Sequence, residues 1–199
     1  MTITNKLLMA QILIEVSARH CHLSQKDLDK LFGKNYQLKL MKDLSQRGQF
    51  AAQETVILKT KDGQIDNLRI LGPVRPNSQV ELAMTDARKL KISPPVRVSG
   101  DIKGSVGAAL IGPKGEIKLK EGIIIAQRHI HASPAQAKQL SLKKGQLVSV
   151  KTFGERSVTF HDVIIRIEEH FDLSFQIDTD EGNASLPGGV CSKGEIIKK

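Results

Sequence analysis

Short apolar and β-branched runs dominate this chain, and few of them carry the wider spacing of an amphipathic helix. "ILIEVSARH" (12–20) opens with such residues. "ETVILKT" and "IDNLRIL" flank "KDG", which predicts a hairpin turn with Gly63 at positive φ. "GAALIG" and "EIKLKEGIIIA" flank "PKG", a second turn of the same kind, and "GQLVSVKT", "SVTFHDVIIRI" and "LSFQIDT" continue the series. Helix signals are short. "SQKDLDKLFG" offers Ser24 as N-cap with Asp27 three residues on, and it stops at Gly33. "SPAQAKQL" offers Ser133 as N-cap, Pro134 at the first helical position and Gln136 three residues on. "TDARKL" (85–90) predicts a third helix capped by Thr85.

One pattern is written twice. "VSARHCHLS" and "IAQRHIHAS" each hold Arg-His-x-His-x-Ser, 109 residues apart, and they contain four of the six histidines. Each copy reads strand, His-x-His, serine cap, short helix, and Leu31 and Leu140 match at the same offset. Two copies of one unit predict a mainly β chain of two similar halves, each a small β-barrel with short helices.

Composition narrows the function classes. The hydrophobic fraction of 40% is that of a globular protein, and with 4% aromatics and no Trp the core must rest on Ile, Leu and Val. No apolar run approaches the roughly 20 residues of a membrane helix, and the N-terminal stretch lacks the pattern of a secretory signal. Two cysteines, Cys21 and Cys191, make a poor disulfide framework, so the expected setting is cytoplasmic. A net charge of +9 and a pI of about 9.6 favour anionic partners. The lysines are scattered and Tyr36 is the only tyrosine, which argues against nucleic acid and for a small phosphate-bearing molecule.

In a strand, side chains alternate faces, so His20 and His22 point one way, as do His129 and His131. Two neutral imidazoles on one face suit zinc or another borderline ion. Two ligands leave a zinc site incomplete, and Glu54, Glu81 and the run "DTDEGN" (178–183) are the carboxylate candidates. That run resembles the start of a calcium loop but has Asn183 where the loop needs Gly, so calcium is excluded and a solvated turn expected. "ILGPVRPNSQVELAMTDAR" (70–88) sets Arg75 in a stiff turn after Gly72 and Pro73, where its planar fork suits phosphate or carboxylate. Nothing marks either cysteine as a nucleophile.

The stretches "VSARHCHLS", "GQFAAQETV", "LGPVRPNSQVELAMTDAR", "GIIIAQRHIHASP" and "IDTDEGNA", in this order, resemble the phosphate propanoyltransferases, phosphotransacylases of the PduL type, some of which serve bacterial microcompartments. The resemblance implies two β-barrel domains capped by short α-helices, with the active site at the domain interface. It implies a first domain over 19–127, a second over 128–199, and an N-terminal strand 10–18 that joins the second. It implies two zinc ions per chain, held by His20, His22 and Glu81 and by His129 and His131. At Gln176 the family has a further histidine ligand, and a neutral amide oxygen is a weaker zinc ligand than imidazole. Arg75 matches an arginine acting on phosphate or a developing oxyanion. Residues 1 to about 10 lack the pattern of a microcompartment-targeting helix.

The implied reaction is acyl-CoA plus phosphate giving acyl phosphate plus CoA, with short acyl groups, coenzyme A as a substrate and direct attack of phosphate on the thioester. The resemblance also suggests a homodimer and implies no membrane partner. The alternative is an impaired homologue that binds CoA or a partner without catalysis, because of Gln176; a weaker third reading is a metal-dependent acyl-CoA hydrolase.

Overall fold

A computed structural model describes residues 11–186 and 192–198. Cys191 and position 10, the expected start of the N-terminal strand, lie outside these. In chain order the elements begin with β1 (Gln11–Ser17), β2 (His20–His22) and α1 (Gln25–Phe32). Then come β3 (Leu40–Asp43), β4 (Phe50–Lys59), β5 (Gln64–Gly72), β6 (Gln79–Leu82) and α2 (Met84–Lys89). β7 (Val96–Arg97), β8 (Val106–Ile111) and β9 (Glu116–Ala126) lead to β10 (His129–Ala132) and α3 (Pro134–Gln139). The rest are β11 (Leu147–Thr152), β12 (Thr159–Ile167), β13 (Ser174–Asp178), α4 (Thr179–Ser185) and β14 (Ser192–Ile197).

The architecture is mainly β, with two closed six-stranded barrels. One ring runs β1-β13-β10-β12-β11-β14 and closes where β14 pairs antiparallel with β1. The other runs β4-β5-β2-β6-β9-β8 and closes where β8 pairs with β4, with β3 and β7 as extra edge strands. The compact units follow the rings: one unites the stretch ending at Ser17 with that beginning at Arg128, and the other is Ala18–Gln127.

Strand directions match around both rings. β2 lies between β5, parallel to it, and β6, antiparallel to it. β10 lies in the same way between β12 and β13. Parallel to β6 comes β9, and parallel to β13 comes β1. So β9 and β1 hold equivalent places, yet β9 directly precedes β10 and β1 directly precedes β2. Each half of the chain gives its leading strand to the other half's barrel.

Even an irregularity is repeated. The β4–β5 ladder shifts register between Val56 and Leu58, where β5 carries Asn67 at φ 54°. The β11–β12 ladder shifts between Val148 and Val150, where β12 carries Asp162 at φ 55°. These are bulges of two residues against one, and Asn and Asp are the non-glycine residues that best tolerate the left-handed conformation.

Each barrel has its own core of aliphatic side chains. One gathers Cys21, Val56, Ile70, Val80 and Ile123, with Leu28 and Leu31 of α1 packed onto it. The other gathers Ile14, Ile130, Val150, Ile165 and Phe175. Leu28 and Leu31 lie one turn apart on the buried face of α1, and burying each stabilises the fold by about 1.5–3 kcal/mol. Ser24 Oγ accepts from Asp27 N at 3.2 Å and Gly33 ends the helix at φ 111°. On α3, Ser133 and Gln136 form the reciprocal capping box, with Pro134 in the first turn.

Three local expectations are corrected. Gly63 does not have positive φ; a Cβ there would lie 2.5 Å from the Lys89 carbonyl oxygen, so close backbone approach excludes a side chain. Thr85 is not the cap of α2. The N-cap is Ala83, and the Asp86 carboxylate bonds back to its N–H at 3.4 Å. The acidic run is not a solvated turn but α4, with Asp178 as its N-cap and Glu181 completing the box. Among the described residues no helix is long and apolar enough to cross a membrane.

Candidate metal centre and arginine site

The barrel cores fix which way the histidines point. Cys21 and Val80 enter one core, so His20, His22, Gln79 and Glu81 take the opposite face of their strands. Ile130 and Phe175 enter the other core, so His129, His131, Ser174 and Gln176 do likewise. All four histidines and Glu81 are nonetheless buried.

Each His-x-His strand is braced at its start by the preceding arginine. Arg19 pairs with Asp86 at 3.1 Å and Arg128 pairs with Glu181 at 2.9 Å. Each of these carboxylates also completes the cap of its helix, at Ala83 N and Asp178 N. One side chain thereby joins a helix terminus to the approach of the histidine strand in both barrels. Burial pushes the Glu181 carboxyl up, against the cap bond and Arg128, which favour its charged form.

In the 18–127 barrel the donors converge. His20, His22 and Glu81 each offer a ligand atom, and these atoms all lie within 4.8 Å of one another. His20 Nδ1 lies 2.8 Å from the Ala18 carbonyl and His22 Nδ1 lies 3.3 Å from that of Leu71. A carbonyl only accepts, so each Nδ1 carries a hydrogen, and Nε2 is the ring atom that can ligate. His20 Nε2 is 3.6 Å from Glu81 Oε2. Burial above all, then the electrostatic influence of His20 and of the Arg75 guanidinium, lower His22 to about 3, so it is neutral imidazole at physiological pH. A buried meeting of lone pairs with one carboxylate, each imidazole fixed by a backbone carbonyl, fits a divalent metal ion.

Arg75 belongs to the same cluster. The Gly72–Pro73 peptide is cis, and Arg75 N donates to the Leu23 carbonyl at 2.9 Å, just past β2. Its Nη1 donates to Ser99 Oγ at 3.3 Å and its Nη2 to Gln49 Oε1 at 3.5 Å. Ser99 Oγ also accepts from Gln79 Nε2 at 3.0 Å and donates to Glu81 Oε1 at 2.6 Å. One donated and two accepted bonds use the hydroxyl fully. Gln79 adds a 2.6 Å bond to Glu81 Oε1 and accepts from Gly100 N at 2.7 Å. Glu81 therefore holds one oxygen toward Ser99 and Gln79 and the other toward His20. Neither Ser99 nor Gln79 stood out in the sequence. Gln79 lies opposite His22 in the β2–β6 ladder, a placement visible only once the strands are paired.

In the other barrel His129 Nε2 and His131 Nε2 lie 3.0 Å apart, so two imidazoles again aim at one point. Phe171 stacks on His131 with ring centroids 3.9 Å apart. Gln176 lies opposite His129, the place that Glu81 holds opposite His20. Its amide nitrogen donates to Glu15, on β1, and to Ser174 Oγ at 2.9 Å. Glu15 was also missed in the sequence, where a lone charge on the outer face of an apolar strand reads as solvated.

The other carboxylate candidates lie elsewhere. Glu54 accepts from the Tyr36 hydroxyl at 2.9 Å and from Lys39 N, and its hydrogen bond is the main cause that raises Tyr36. Cys21 is a free thiol in the barrel core, pushed up by burial, and has no nucleophilic character.

A family model for phosphate propanoyltransferase matches residues 13–187. A phosphate propanoyltransferase of Lachnoclostridium phytofermentans is 54% identical over 173 residues, 86% of this chain and 81% of that protein. One of Thermotoga maritima is 48% identical over 176 residues, 88% of this chain and 84% of that protein. One of Listeria monocytogenes is 42% identical over 194 residues, 97% of this chain and 90% of that protein.

Proposed function

The chain belongs to the phosphate propanoyltransferase family and is an acyltransferase, and from that premise we propose that it exchanges CoA for phosphate on short acyl groups by direct displacement, with two zinc ions per chain. A phosphate oxygen forms a bond to the thioester carbonyl carbon, the tetrahedral species collapses, the C–S bond breaks, and CoA leaves as its thiolate. The observation that carries this reading is the buried cluster of His20, His22 and Glu81, coupled to Arg75 through Ser99.

Residues His20, His22 and Glu81 would hold one ion, and His129, His131 and Gln176 the other. Bound zinc supplies Lewis-acid charge that favours anionic phosphate and the departing thiolate.

Arg75 meets the demand that the chemistry makes. Phosphate is a weak nucleophile toward a thioester, so orientation and stabilisation of negative oxygen dominate the barrier. A guanidinium offers a planar fork of donors matched to such an anion. Ser99 and Gln49 limit the positions the fork can take, and Ser99 ties that position to Glu81. Cys21, buried in the barrel core, plays no part, and no acyl-enzyme is required. The surplus of basic residues favours the phosphates of CoA and phosphate itself.

The test is thiol release from propanoyl-CoA by purified, zinc-replete protein, with and without phosphate. Release that requires phosphate and yields propanoyl phosphate is expected. No release would overturn the reading, and release that persists without phosphate would make the chain a hydrolase.

A further inference from the structure

The two histidine strands sit in matching rows that differ in one respect. Across one barrel the row reads Ile124, Glu81, His20, on β9, β6 and β2. Across the other it reads Glu15, Gln176, His129, on β1, β13 and β10. Each row carries one carboxylate. In the first it stands beside the histidine; in the second an amide stands there and the carboxylate lies one strand further away.

An amide serves a cation only if it turns its oxygen inward, and nothing in glutamine itself sets that choice. Glu15 sets it. A carboxylate accepts, so it draws the amide nitrogen of Gln176, and Ser174 Oγ takes a second bond from the same nitrogen at 2.9 Å. With both amide hydrogens committed, Oε1 is the one ligating atom left on this side chain. The bond to a carboxylate also polarises the amide toward its oxygen, and the negative charge offsets a cation one residue away.

We propose that Glu15 is a positioning residue that makes Gln176 an oxygen ligand, so that His129, His131 and Gln176 hold a divalent cation whose charge Glu15 balances from the neighbouring strand. This rests on the two-zinc reading above. The site is weaker than the one at His20, His22 and Glu81, and its affinity depends on a residue that does not touch the metal.

The test measures zinc per chain by elemental analysis and the affinity of each site by competition with a chromophoric chelator, on the full chain. Wild type should bind two zinc ions of unequal affinity. Glu15→Gln, of nearly the same shape, should weaken the looser ion by about 10–100-fold and leave the tighter one unchanged. Adding Gln176→His to Glu15→Gln should restore the looser ion, because imidazole needs no neighbour to choose its ligating atom; this also shows that the Glu15 variant is folded. Two unchanged affinities in Glu15→Gln would overturn the proposal while leaving the two-zinc reading intact. Fewer than two zinc ions in wild type would overturn that reading, and the proposal with it.

Discussion

The two barrels share almost everything that a core demands and differ in the row that faces away from it. Their strands follow one order and one set of directions, and both bulge next to a left-handed Asn or Asp. Both brace the histidine strand through an arginine and a helix-capping carboxylate. Yet Glu81 corresponds to Gln176, and Ile124 to Glu15. Inward positions must fill a closed ring without voids, so they stay apolar even where their size changes, as from Cys21 to Ile130 and from Val80 to Phe175. Outward positions in the histidine row face only the demands of their own chemistry, and there the halves diverge.

Substitutions can probe this difference, from the largest effect downward. His20→Ala should abolish zinc binding at the tighter site and reduce phosphate-dependent turnover to background, whereas His129→Ala should cost only the looser ion, as metal analysis of the two proteins would distinguish. Arg75→Ala should lower turnover by about 10²–10³-fold with zinc content unchanged, since it removes a donor to developing charge and no ligand. Ser99→Ala should weaken the tighter zinc and slow turnover by about 10–100-fold, because it unties Glu81 from Arg75; chelator titration against wild type checks it. Ser133→Ala should cost about 1 kcal/mol and lower Tm by about 2–4 °C. Ser24→Ala should cost more: both serines donate to the side chain three residues on, at 3.0 Å, but the acceptor for Ser24 is the carboxylate of Asp27, which also accepts from Ser78 at 2.7 Å. Thermal melts that rank the two caps the other way would show that the Ser24–Asp27–Ser78 network adds nothing.

Local features were legible in the sequence because their causes are local. Ser24, Ser133 and Pro134 announce their helices, and the "PKG" turn joins two paired strands, β8 and β9. Gly63 and Thr85 misled for the opposite reason. Gly63 answers to the carbonyl of Lys89, and the cap of α2 depends on Asp86 reaching back. The rings depend on pairings between segments far apart in sequence, such as Ile57 with Ile111 in one and Leu13 with Ser174 in the other. Ser99 and Glu15 were hidden for a further reason. A loop serine and a single charge in an apolar strand have no distinguishing chemistry until a partner strand arrives.

The traded leading strands also set an order of events during synthesis. The ring over 18–127 is complete as soon as β9 has left the ribosome. The other ring must wait, because β1 emerges first yet pairs with β13 and β14 near the far end of the chain. At about 5–20 residues per second, β1 waits roughly ten to thirty seconds with its Ile12 and Ile14 exposed. Until β14 arrives to cover it, β1 is therefore a nascent, aggregation-prone edge.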